Sequence, residues 1–302
     1  MLCAISEVKM NSKKWMIIAV ISFCIMAIGI KEMSDKINSF QIIFFRSLIG
    51  LITILVFFKK KLAKPTFSIL KEHLFRNIFH LIGQYGWIIG ILYLSLAEVT
   101  AIEFSVPIWV LIIASLFLKE RLTIKKVISI VLGFVGVLII IRPGFGIINF
   151  KTIIVLLSAI SYAVAHTSTK KLTEKYTALD IVFIMCLIQI PISFCFSLTS
   201  LNLPELKDSL YLIIVGISAI TAHFTMSKAM TNDDISSIIS IDYFRLPILI
   251  GIGILIYNEN FEPIYLIGGT LIFLGNWINK KKHITQYKNN SGLIAKTKQS
   301  KY

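Results

Sequence analysis

Apolar runs of membrane-crossing length recur along the chain from Trp15 to Ile278, and no other feature restricts the fold as severely. A helix crossing about 30 Å of hydrocarbon uses about 20 mainly apolar residues. Within lipid, only helices or closed barrels satisfy their own backbone polar groups. These runs are continuous rather than alternating, so they read as helices. Ten are expected, at Trp15–Ile30, Phe40–Phe58, Asn77–Ala97, Ala101–Leu118, Val127–Ile141, Thr152–Thr169, Leu179–Leu198, Leu210–Ala229, Ile235–Tyr257 and Pro263–Ile278. Hydrophobic residues make up 56% of the chain and charged residues 16%. A soluble domain has about 45–50% and about 25% respectively. Ordinary soluble enzymes, disordered chains and disulfide scaffolds are therefore excluded, and the expected fold class is an all-α integral membrane protein.

The charges sit between the runs, and their distribution sets an orientation. Thirty-one Lys+Arg face sixteen Asp+Glu, a net +15. In a soluble protein that excess would suggest nucleic acid, whereas in a membrane protein it belongs to cytoplasmic loops, so no nucleic-acid partner is expected. Alternate connections, beginning with the N-terminus, hold 24 of the Lys+Arg; the opposite set holds 5, and Arg46 and Arg245 lie inside spans. Both termini are expected on the cytoplasmic side. The basic clusters would also sit well against anionic membrane lipids.

The chain repeats itself. Phe117-Leu118-Lys119-Glu120 closes span four and Ile256-Tyr257-Asn258-Glu259 closes span nine, with Gly136 and Gly275 sixteen residues beyond each Glu. Pro107 lies thirteen residues before Glu120, and Pro247 twelve before Glu259. Each half reads as a five-helix unit, and an odd number of crossings turns the second copy upside down. Inverted repeats are the architecture of alternating-access carriers, with the substrate near the midplane.

Several chemistries are missing from the sequence. Cys3, Cys24, Cys186 and Cys195 have no metal-ligand spacing and read as free thiols. No phosphate loop, HExxH or GxSxG motif is present, so neither cofactor, metal nor enzymatic activity is expected. Lys13-Lys14 before an apolar run lacks a following small-residue cleavage site and reads as the start of an uncleaved first span.

A set of fragments carries a family resemblance. The first half has Phe44-Phe45-Arg46-Ser47, Leu96-Ala97-Glu98-Val99-Thr100-Ala101, Val106-Pro107-Ile108-Trp109, Leu116-Phe117-Leu118-Lys119-Glu120-Arg121, Gly133-Phe134-Val135-Gly136-Val137 and Arg142-Pro143-Gly144. The second has Ser158-Ala159-Ile160-Ser161-Tyr162-Ala163 and Asp242-Tyr243-Phe244-Arg245-Leu246-Pro247. In order and spacing these resemble the EamA-type branch of the drug/metabolite transporter superfamily. The resemblance implies ten helices in two inverted five-helix repeats, at residues 15–141 and 150–279, followed by a basic cytoplasmic tail at 280–302. It implies a carrier in the bacterial inner membrane. The runs Asn38–Arg46 and Phe104–Pro107 are most similar to the S-adenosylmethionine uptake group, from which Glu103 departs. S-adenosylmethionine uptake is the first substrate implied and amino-acid export the second; a scaffold or a lipid enzyme are the readings from other classes. A homodimer is left open.

Ionisable groups inside spans cost about 2.5–3.5 kcal/mol each at a helix centre, so each needs a reason. Arg46 reads either as an anchor for a substrate carboxylate or as a structural clamp. Asp242 and Arg245, three apart on span nine, can neutralise each other; an approach of Arg46 to Asp242 would make that acid a gate. Glu103 is expected at the start of span four, one turn before Pro107, which frees the Glu103 carbonyl. It reads as a cation or proton site, or as a group facing interfacial water. Glu98 is expected in an external turn. Gln84, Tyr85, Trp87, Trp109, Tyr162, His166 and Tyr243 are expected to line a pocket or to pack, aromatic faces being suited to sulfonium or ammonium groups. His80 and His223 are expected to pack. Gly86 and Gly90 form a GxxxG spacing for close helix approach, and Glu120 and Glu259 are expected at helix ends as caps or loop contacts.

Overall fold

A computed structural model of the chain describes residues 11–33, 37–59, 62, 64–117, 123–141, 150–198, 202–232, 241–260 and 262–279. Among these residues the regular structure is helical, with no strand. The helices are α1 (Ser12–Lys31), α2 (Ser39–Phe58), α3 (Phe67–Tyr93), α4 (Leu96–Glu103), α5 (Val106–Phe117) and α6 (Ile124–Ile141) in the first half. The second half has α7 (Phe150–Leu172), α8 (Ala178–Ser197), α9 (Leu206–Asn232), a 3-10 turn (Asp242–Phe244), α10 (Arg245–Tyr257) and α11 (Pro263–Asn279). The expected basic tail and the helix end at Glu120 lie outside the described residues.

Side chains at the boundaries explain where the helices begin. Asn38 and Gln41 form a reciprocal capping box on α2, and Thr177 and Asp180 form one on α8. Ser95 accepts from the Glu98 backbone N–H and starts α4. Each cap satisfies donors that a helix N-terminus otherwise leaves open.

The solvent these helices are built for is visible in which faces they bury. On α1, Ile17, Ile21 and Ile25 form an exposed stripe at helical spacing. On α3, Ile78 and Ile82 face outward while Asn77, His80 and Gln84 are fully buried. Apolar outside and polar inside is what a hydrocarbon surrounding selects. Six stretches are long and apolar enough to cross a membrane, namely Ser12–Lys31, Ser39–Phe58, Leu96–Ile113, Phe150–Leu172, Ala178–Ser197 and Leu206–Thr231. Val127–Ile140, Arg245–Tyr257 and Pro263–Gly275 are shorter apolar helices.

The principal packings join the two halves in a reciprocal pattern. α1 packs along α9 and α3 along α7, while α2 meets α8 and α6 meets α11. Exchanging the halves, α1 for α7, α2 for α8, α3 for α9 and α6 for α11, turns the α1–α9 pairing into α7–α3 and maps the other two pairings onto themselves. Small residues permit the approach. A methyl group on Gly86 would lie 2.9 Å from the Ile154 carbonyl oxygen. On the other side of the molecule, one on Gly136 would lie 2.6 Å from that of Gly268.

Three boundaries differ from the sequence expectation. The third span begins and ends earlier, at Phe67 and Tyr93, because Leu94 is extended and Ser95 caps a new helix. Arg76, expected in a cytoplasmic connection, is consequently buried on α3, where its Nε donates to Thr169 Oγ1 at 3.0 Å and its Nη1 to Asn77 Oδ1 at 2.9 Å. The fourth span is broken, with α4 ending at Glu103 and α5 beginning at Val106 just before Pro107. Glu103 thus stands at the junction of two half-helices rather than at a span's start. Glu98 lies in the first turn of α4, not in an external turn, and accepts from Thr152 Oγ1 at 2.8 Å. In the ninth span α10 begins only at Arg245; residues 233–240 lie outside the described residues.

Candidate functional site

The break after Glu103 in the first half and the 3-10 turn that leads into α10 in the second meet at the same place. Arg245 Nη2 lies 2.9 Å from Glu103 Oε1 and 2.5 Å from Asp242 Oδ2. Trp87 on α3 donates its indole N–H to Glu103 Oε2 at 3.0 Å. The guanidinium of Arg245 also stands 5.2 Å from the centre of the Phe23 ring on α1. Arg245 is 3% exposed, so its guanidinium is shielded from bulk solvent, while the Glu103 and Asp242 side chains are 10% and 19% exposed. With both carboxylates ionised it carries one net negative charge. Low local dielectric strengthens such a charge for any cation that reaches it.

A cleft opens at the triad. It is narrow in this conformation, about 30 Å³ in cavity volume, and Phe23, Met26, Trp87, Phe104, Tyr162, His166, His223 and Met226 line it with Glu103, Asp242 and Arg245. The walls come from both halves: α1, α3, α4 and α5 on one side, α7, α9 and α10 on the other. Tyr162 and His166, one turn apart on α7, stack with ring centres 5.6 Å apart. The cleft thus offers aromatic and thioether walls around a net-negative floor, a setting for an organic cation.

Behind Met26 lies a second polar group. Arg46 is 2% exposed, and its Nη1 stands 3.9 Å from Met26 Sδ. Gln84, with its amide turned to satisfy both neighbours, accepts from Arg46 Nη1 at 2.8 Å and donates to Gln189 Oε1 at 3.1 Å. Gln189 Nε2 is 3.0 Å from His80 Nδ1. The His80 and His223 rings are 4.7 Å apart, and through His223 this cluster reaches the cleft.

Of the side chains singled out in the sequence, Glu103, Tyr162, His166, Asp242 and Arg245 meet in the cleft, together with Trp87. Arg46 and Gln84 meet each other behind it, and Arg46 engages Gln84 rather than Asp242. Tyr85 and Trp109 join neither group. Tyr85 stacks on Phe40 at 4.5 Å, and Trp109 donates to Ser105 Oγ at 3.0 Å and meets Phe134 edge-on. The Tyr243 side chain lies outside the described residues. Phe23, Met26, Phe104, Met226 and Gln189 were not singled out, and His223 was expected only to pack. Their apolar neighbourhoods give no local sign of a site. Among the described residues no group of three or more His, Cys, Asp or Glu is placed to hold a metal ion.

Helices built for lipid, paired reciprocally between two halves and enclosing a charged cleft, define a multi-pass membrane transporter. Residues 13–142 and 149–279 each match the EamA-like transporter family, and the chain belongs to that family. It is 25% identical over 261 residues to an S-adenosylmethionine uptake transporter of Rickettsia bellii, covering 85% of this chain and 89% of that protein. A riboflavin transporter of Brucella anthropi is 25% identical over 214 residues, covering 67% of this chain and 75% of that one. A pseudopaline exporter of Pseudomonas aeruginosa is 22% identical over 261 residues, covering 85% and 91%. A solved crystal structure shares the fold, with a TM-score of 0.62 at 13% identity over 89% of this chain and 96% of its own.

Proposed function

We propose that this transporter is a secondary carrier of a small cationic or zwitterionic metabolite, working by alternating access without ATP. The Glu103–Arg245–Asp242 triad in an aromatic cleft between the halves is the observation that carries this reading. Glu103 and Asp242 meet the cationic group, Trp87 and Tyr162 flank it, and Arg245 keeps the two acids together until substrate competes for them. Ten crossings in two inverted repeats, with both termini cytoplasmic in a bacterial inner membrane, complete the reading. The 24-to-5 charge distribution and the reciprocal pairing of helices support it.

S-adenosylmethionine, whose sulfonium and amine are both cationic, fits the cleft's chemistry and is the first substrate to test; amino-acid export is the second reading. The absence of a phosphate loop from the sequence and the family membership favour a carrier over an enzyme. Purified protein in liposomes should take up labelled S-adenosylmethionine saturably without nucleotide. Uptake that strictly needs ATP would overturn the carrier mechanism. Preference for uncharged or anionic solutes would overturn the cationic assignment.

A further inference from the structure

Among the described residues no carboxylate meets the buried guanidinium of Arg46 beside the cleft, whereas Arg245 holds two. Its polar neighbours, Gln84 and through it Gln189, are neutral. Arg76, further along α3, is likewise met only by Thr169 and Asn77. A buried charge without an opposite partner is strongly unfavourable. Yet Gln84 and Gln189 are fully buried, and His80 is too. The neighbourhood is polar by construction, not by accident of one residue.

Its hydrogen-bonding capacity is also unfinished. Arg46 Nε, Ser47 Oγ, His80 Nε2 and His223 Nε2 are buried and have no partner. Buried polar atoms are nearly always paired in native proteins, so four together need an explanation. Two side chains connect this region to the cleft. Met26 lines the cleft and touches Arg46, and His223 lines the cleft and faces His80. Met26, a flexible and unbranched side chain, is thus what stands between Arg46 and the cleft.

We propose that Arg46, Gln84, His80 and His223 form an anion-binding compartment adjoining the cleft, suited to a carboxylate. A guanidinium presents its Nε and Nη donors as a fork that matches two carboxylate oxygens. At present the neutral Gln84 oxygen accepts from both Nη1 and Nη2, and Nε is open. An entering carboxylate takes Nε and Nη2, the side-on fork, and displaces Gln84 toward Gln189. The cleft then holds the cationic part of a zwitterion at the triad while its carboxylate reaches behind Met26. The anion has two sources, the substrate's own carboxylate or a free anion such as chloride. The first rests on the carrier reading above; the second does not.

The test uses full-length protein in detergent, with Arg46→Gln and Arg46→Lys beside the wild type. Calorimetry compares S-adenosylmethionine with its decarboxylated analogue, which keeps the sulfonium and amine. Melting is compared in chloride and in lactobionate, an anion too large for the compartment. If the substrate supplies the anion, the wild type prefers the carboxylated compound by about tenfold or more. That preference collapses toward unity in Arg46→Gln, and the analogue's affinity is kept. If a free anion occupies the compartment, chloride raises the wild-type melting temperature and the rise is lost in Arg46→Gln. Arg46→Lys, which keeps the charge and loses the fork, shows a reduced effect in either case and carries the test alone if Arg46→Gln does not fold. An undiminished preference for the carboxylated compound in the variants overturns the proposal. If neither compound binds the wild type, the substrate reading fails, and melting indifferent to chloride then overturns the compartment as well.

Discussion

Arg245 at the start of α10 and Glu103 at the end of α4 form an ion pair at 2.9 Å that joins the two halves. Asp242 shares the same guanidinium nitrogen. Asp242 and Arg245 can balance within the second half, so Glu103 brings a second acid to one base. The pair ties the halves, and the proposed function makes it the point a cation enters by competition.

Glu103→Gln keeps the shape and the bond from Trp87 while removing one negative charge. Arg245 retains Asp242, so folding should be largely preserved. Affinity for a cationic substrate should fall by about 1.5–3 kcal/mol, the range for a hydrogen bond to a charged group. That is roughly ten- to more than hundredfold in dissociation constant. Calorimetry with a thermal-shift control measures it, and unchanged affinity with normal melting would return Glu103 to a purely structural role.

Arg245→Met should behave differently. It leaves Glu103 and Asp242 buried together without a counter-charge, which costs about 3–5 kcal/mol for a broken buried pair. A large drop in melting temperature or loss of folded yield is expected. Adding Asp242→Asn and Glu103→Gln to Arg245→Met removes the uncompensated charges and should restore much of that stability. Additive losses across the three substitutions would show that the residues are not energetically coupled.

The Asp242–Arg245 half of the triad was legible because three residues along a helix is a contact distance, but Glu103 comes from the other half of the chain. Nothing local in sequence announces that meeting. Helix rotation was equally hidden: lipid-facing and protein-facing sides are both apolar, so periodicity could not tell that Tyr85 and Trp109 point away from the cleft. The break before α4 left a trace in Ser95 and Glu98, a serine followed three residues later by an acid. The continuous apolar run around them obscured it, and the Glu98 side chain went to Thr152 instead. What sequence conveyed well was the class of solvent and the order of the helices, because hydrocarbon imposes length and charge placement on every span.

The orientation is open to a direct check. From the charge distribution, the connections after Lys61 and Lys126 are expected in the cytoplasm and the one at Pro204 outside. Reporter fusions at those three points should report inside, inside and outside. The opposite pattern would invert the topology and, with it, the side from which the cleft loads.

In the proposed orientation Lys31, the α3–α4 turn and Glu259 share the outer face, and we read their contacts as a latch. Lys31 Nζ lies 3.3 Å from Glu259 Oε1 and donates to the Leu94 carbonyl at 2.8 Å. Glu259 Oε2 accepts from the Leu96 backbone N–H at 2.9 Å, reaching from beyond α10 to the start of α4. Left-handed Asn258, at φ 50°, turns the chain so that Glu259 points back. One acid thus binds the ends of α1, α4 and α10, the elements that carry the cleft's outer wall. Glu259→Gln should weaken the latch without touching the triad and raise the outward-open population. A cysteine placed at Phe104 in a cysteine-free background should then react faster with a membrane-impermeant maleimide added outside. Lys31→Met should act in the same direction, and Lys31→Arg, which can keep both partners, should stay near the wild type. Equal labelling rates in all four proteins would mean that the outer face is closed by helix packing instead.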